Sequence, residues 1–174
     1  MNQYKIIKNT YSPIISLEDL KNFLRVTQDQ DDKTIVNMRL AAQDVAEKYT
    51  GFTLSVKEVL YDICANVNRV DLPYFPVSEI VSIQYSKEAQ EVINLHSSYE
   101  ISEYERCIFI DKSLVGKNLQ IHYLAGYKDS SKIAPSIIQG IMLHVAEMYD
   151  RNLISSILPD SVKTLYSPYI KYKI

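Results

Sequence analysis

Between Ile35 and Tyr49 the apolar side chains Ile35, Met38, Ala42, Val45 and Tyr49 recur at alternating steps of three and four. That period follows one face of an α-helix and is incompatible with a strand, whose faces alternate every second residue. Gly51 stands where a helix closes on a left-handed residue, and Asp31 or Asp32 stands where one begins. The spacing predicts a helix over 32–50. Ala41 and Ala46 flank the stripe and permit close helix approach. The stripe itself has two uses open to it: core of its own domain, or a packing seam between subunits.

Other segments organise around this helix. Ser16 is a good N-cap, Glu18 and Asp19 face the positive end of the dipole, and Leu17, Leu20, Phe23 and Leu24 keep a helical spacing. This predicts a helix over 16–27. Pro135 opens a third, over 135–152, with Ile138, Ile141, Met142, Val145 and Tyr149 on its apolar face. From 52 to 127 the helical period gives way to short β-rich runs: Leu54–Ile63, Arg69–Leu72, Ile80–Tyr85, Tyr99–Ser102, Ile108–Asp111 and Leu119–Leu124. Their connections are too short for crossover helices, so the pairing is expected to be antiparallel. Pro73 and Pro76 place their segment at an edge or in a loop. Residues 158–174, with Pro159 and Pro168, read as an extended C-terminal tail. The expectation is one α+β domain over 1–174: a small helical bundle with an antiparallel β-rich insertion between its second and third helices.

Composition narrows what such a domain does. With 47% hydrophobic residues in 174, the chain has material for a core without a disulfide or metal staple. Its formal charge of −2 gives no electrostatic case for coating nucleic acid. No apolar run approaches a membrane span, and Met1–Thr10 lacks the apolar stretch of a signal peptide. Cys64 and Cys107 lack metal or redox spacing and read as free thiols in a reducing compartment. The expectation is a soluble cytoplasmic protein that enters no membrane. Fourteen Tyr against four Phe and no Trp suit half-buried positions and subunit contacts, although codon bias also enriches Tyr.

Motifs for chemistry are sparse. His96, His122 and His144 have no partner at metal-ligand spacing, apart from His144 and Glu147, which need a second such pair elsewhere. Asp29, Asp31 and Asp32 lack the glycine and glutamate that a calcium loop requires, and helix capping accounts for them better. Four glycines form no phosphate-cradling run, and Glu103 and Glu105 sit in a polar turn. The reading is a non-enzymatic protein with no catalytic residue, no metal and no cofactor.

Several segments, in this order, carry a resemblance. They are Leu17–Lys21, Ala41–Gly51, Leu72–Val77, Ile121–Tyr127, Pro135–Ile141, His144–Arg151, then Leu158-Pro159 and Leu165–Tyr169. Together they resemble the head–tail connector (adaptor or head-completion) proteins of long-tailed bacteriophages and prophages. The resemblance implies a ring of about twelve copies of the chain, docked beneath the portal protein and extending its DNA channel. It implies further partners in the next connector or tail-completion protein, and in double-stranded DNA that slides through without sequence-specific binding. It places the protein at the virion head–tail junction, and in the bacterial cytoplasm before assembly. Leu158, Pro159, Leu165, Tyr166, Pro168 and Tyr169 then form a candidate docking tail; the other reading has Tyr166 and Tyr169 packing back on their own domain. A small bacterial protein-binding module with no ring is the alternative function.

Overall fold

The computed structural model describes residues 3–10, 12–86, 92–94, 99–102 and 106–170. They fall into two units, each built from two stretches of chain. One comprises Met1–Tyr11 and Ser55–Lys128, the other Ser12–Leu54 and Asp129–Ile174.

Among the described residues the first unit is all β apart from a short 3-10 turn. Its strands are β1 (Gln3–Asn9), β2 (Lys57–Cys64), β3 (Arg69–Asp71), β4 (Val77–Ser86), β5 (Val92–Asn94), β6 (Tyr99–Ile101), β7 (Cys107–Ile110) and β8 (Asn118–Ala125). Five form a sheet in the order β1-β2-β8-β4-β5 and three form a second in the order β3-β7-β6. Every recorded pairing is antiparallel.

Strand β8 sits in the middle because its residues alternate cleanly. Leu119, Ile121, Tyr123 and Ala125 are buried, while Gln120, His122 and Leu124 are only half-buried. Ile121 lies opposite Tyr61 of β2 and Ile83 of β4, and Tyr123 lies opposite Val59 and Ile80. These residues join Ile108, Ile110 and Leu114 in one apolar core. The buried Tyr123 hydroxyl accepts a hydrogen bond from Tyr74 N at 3.2 Å, and burial raises its pKa.

In β4 the buried residues Val77, Ile80 and Ile83 are spaced by three, which in a regular strand points them to opposite faces. Register shifts between Val77 and Glu79 and between Ile80 and Ser82 each absorb one residue, so all three face the core. After β8 the chain turns at Gly126, whose φ of +103° and close approach to Ser55 leave no room for a side chain. Its N–H donates to Pro76 O at 2.7 Å.

Strand β1 corrects the sequence reading, which assigned no element to the first ten residues. All seven of its residues are exposed, so it has no alternating burial for a pattern to reveal; pairing with β2, from Gln3 opposite Asp62 to Asn9 opposite Lys57, holds it.

The second unit is helical: α1 (Leu17–Leu24), α2 (Asp32–Thr50), α3 (Pro135–Asp150) and α4 (Asp160–Tyr166). Ser16 caps α1, accepting from Asp19 N at 3.0 Å. The helix stops at Leu24, because Arg25 turns left-handed at φ 59° and Val26 N reaches back to Lys21 O. Asp31 does not cap α2 with its side chain. Its carboxylate accepts the Tyr149 hydroxyl at 2.7 Å, while Lys21 Nζ bridges Asp29 and Asp32 at 2.5 and 2.7 Å. No helix among the described residues is long and apolar enough to cross a membrane.

Helix α4 is the second correction: the segment expected to be an extended tail folds as a helix. Leu158, Val162 and Tyr166 fall four apart and are all buried, which gives the turn a face to pack on α3. Pro159 precedes the first turn and Pro168 follows the last, so the prolines bracket the helix without interrupting it.

Candidate interaction surfaces

The residues of the α2 stripe divide between interior and flank. Ile35, Met38 and Ala42 are buried, whereas Val45 and Tyr49 are half-buried, and Ala46 and Thr50 take the interior positions in the second half. A 3.6-residue helix drifts away from a strict three-four stripe, and the buried face follows the drift. Polar groups share this interior. Gln43 is fully buried, and Arg39 donates to Ile15 O at 3.0 Å; among the described residues neither Gln43 amide atom nor the Arg39 Nε has a partner. Burial pulls the Arg39 pKa below its usual value.

The candidate tail residues are likewise separated. Leu158 and Tyr166 are buried, Pro159, Leu165 and Tyr169 are half-buried, and Pro168 is exposed. The Tyr166 ring lies against Gly140 of α3, so closely that a Cβ there would collide with it, and sits 6.0 Å from the Tyr49 ring.

Between α3 and α4 lies a surface that the sequence reading did not single out. Leu153, Ile154 and Ile157 are 61%, 51% and 79% exposed. The segment has a defined path. Asn152 turns left-handed at φ 49°, Leu153 N donates to Met148 O, Ser155 N points to the Met148 sulfur at 3.3 Å, and Ile157 N donates to Ser155 Oγ. The signal in the sequence is a cluster of aliphatic residues just beyond a helix, with no period that assigns them to a face.

Beside this segment is a cleft of about 470 Å³ lined by His144, Glu147, Arg151, Ser155, Asp160 and Lys163 among others. His144 is 1% exposed, and neither ring nitrogen has a hydrogen-bond partner among the described residues. Burial lowers its pKa, against the smaller upward pull of the Ser155 backbone and Glu147. His122 lies 2.7 Å from Glu58 across the β2–β8 pair. His96, Glu103 and Glu105 lie outside the described residues. Cys64 is exposed and Cys107 buried, both free. Among the described residues no three His, Cys, Asp or Glu side chains gather in metal-binding geometry.

Residues 14–111 match the profile of the phage gp6-like head-tail connector protein family, more than half of the chain. The chain belongs to this family. The matched stretch runs from the approach to α1 through β7, so it takes in the first two connector helices and most of the β unit. Likeness to solved structures extends over the whole length. A chain from the "Neck of empty GTA particle computed with C6 symmetry" superposes with a TM-score of 0.76 at 14% identity, covering 99% of this chain and 97% of that one. One from the "Virion of native gene transfer agent (GTA) particle" gives 0.75 at 15% identity, over 98% and 96%. A third, from the "Neck of native GTA particle computed with C12 symmetry", gives 0.72 at 14% identity, over 99% and 97%. No curated protein matches this connector-family chain. At these identities the shared property is the fold, and the mixed α+β architecture expected from the sequence is the one found.

Proposed function

We propose that this chain is a structural subunit of a head–tail connector, assembling as a ring beneath the portal and extending the DNA channel as the head is completed. The observation that carries the reading is the family match over residues 14–111. The whole-chain fold shared with particle-neck proteins supports it, and two of those necks were computed with C6 and C12 symmetry. Cyclic symmetry sets copies of one chain around an axis, which fits a ring of about twelve subunits closed by heterologous contacts. The partners are then further copies of the chain, the portal, and the next connector or tail-completion protein. Double-stranded DNA passes through without sequence readout, in keeping with a formal charge of −2 that supplies no general attraction for phosphate. The half-buried Pro159, Leu165 and Tyr169 and the exposed Pro168 are the candidate docking residues left to meet the portal. The protein acts at the virion head–tail junction after synthesis in the bacterial cytoplasm.

Deleting the gene from the particle-producing strain tests this. The expected product is DNA-packaged heads that carry no tails and lose their DNA, restored by the gene in trans. Normal tailed, DNA-retaining particles from the deletion strain refute the role.

A further inference from the structure

The helical unit carries two apolar features that nothing among its described residues covers, at opposite ends of α3. At the C-terminal end project Leu153, Ile154 and Ile157, each more than half exposed. Toward the N-terminal end, α1 and α3 leave an open groove of about 380 Å³ whose apolar lining includes Ile14, Phe23, Ile138 and Met142, with Asp19 and Asn22 also on its wall. The projection cannot reach this groove in its own chain. Ile138 and Asp150 are separated by roughly 18 Å of helix, and the bonds from Leu153 and Ser155 to Met148 hold the projection at the far end.

We infer that the 153–157 projection of one copy seats in the α1–α3 groove of the next copy. The inference rests on the ring reading above and names the contact that builds the ring. Both surfaces belong to one chain and match in chemistry, aliphatic side chains meeting an aliphatic and aromatic lining. Charge does not oppose it: Arg151, with a side chain 71% exposed and paired with Glu147 of its own helix at 2.8 Å, flanks the projection beside Asp160 and Lys163, and Asp19, whose carboxylate accepts the Ser16 hydroxyl, lies at the groove. A contact between unlike surfaces leaves one of each free on every added copy, so it propagates around a ring, whereas a self-complementary patch stops at a dimer. The projection is also preorganised by its backbone bonds, so little freedom is lost when it seats.

The test is a cysteine pair in the full chain, with Cys64→Ser to remove the exposed native thiol. Ile157→Cys and Ile138→Cys together, mildly oxidised at high protein concentration or on the purified portal, should give a ladder of covalent multimers on a non-reducing gel. Each single substitution should stay monomeric, and a mixture of the two single variants should stop at dimers. Ile157 is exposed, so the change there leaves folding intact. Rings seen by native mass without the ladder overturn the contact and leave the ring reading standing. Single variants that dimerise overturn the heterologous geometry. No self-association, alone or with portal, overturns contact and ring together. Charge reversal gives a second reading. Asp19→Arg or Arg151→Asp alone should weaken assembly several-fold and the pair should recover it; a pair no better than either single variant counts against this register.

Discussion

Replacing Gly140 with alanine sets two effects of opposite sign against each other. Alanine in a helix interior gains about 1 kcal/mol over glycine through reduced backbone entropy in the unfolded chain. Against this, a Cβ at Gly140 collides with Cε1 of Tyr166, with Cζ only 2.8 Å away. Tyr166 is fully buried with Tyr49 beside it, so its ring has little room to retreat. Overpacking a rigid site costs about 1–3 kcal/mol. The ring decides the sign, and the net expectation is a loss of up to about 2 kcal/mol, a Tm drop of up to roughly 8 °C for a chain of this size. Tyr166→Ala alone should cost about 3–5 kcal/mol as a large-to-small core change. In that background the collision is gone, and Gly140→Ala should become stabilising by about 1 kcal/mol. Urea unfolding followed by circular dichroism at constant m-value measures all four corners of the cycle. A Gly140→Ala gain of the same size in both backgrounds would refute the packing of α4 on α3 and return residues 158–170 to the status of a free tail.

Other predictions follow from the same geometry. Gly126→Ala should lower Tm by at least roughly 4 °C, since it strains a φ of +103° and meets the Ser55 carbonyl; an unchanged melting curve counts against the turn. His144 is held below its usual pKa, chiefly by burial, so the unfolded chain takes up its proton first. Its stabilising contribution is therefore complete above about pH 6.5 and declines as the pH falls below that value, with the interval down to about pH 5 lying above ordinary carboxylate titration. Urea midpoints across that interval should fall in the native sequence and stay flatter in His144→Leu; parallel profiles refute the burial of a neutral imidazole.

The elements most legible in the sequence are those whose causes are local. Ser16 caps α1 by bonding a neighbour three residues on, and Gly51 ends α2 by its own φ of 79°. Leu119, Ile121 and Tyr123 announce β8 because burial on one face imposes strict alternation. Where tertiary contacts decide, the pattern loses force. The three-four stripe put Val45 on the apolar face and Ala46 on its flank, and the drift of α2 reverses the two, burying Ala46. In β4 the two bulges hide behind a spacing of three that suits no regular strand. Strand β1 exists through its partner alone, and α4 was obscured because Pro159 and Pro168 look like breakers when only their neighbours are counted. The candidate surface was least legible. That Leu153, Ile154 and Ile157 are apolar is evident in the sequence, but their exposure depends on where the turn at Asn152 sends the chain. The groove draws on residues near 14, 23 and 138, which only the fold brings together.

Native mass spectrometry of the purified chain, alone and mixed with the portal from its own gene cluster, tests the connector assignment most directly. The account predicts one closed assembly of about twelve copies, formed alone or on the portal, with no continuous series of larger species. A strict monomer that ignores the portal at high concentration would contradict it.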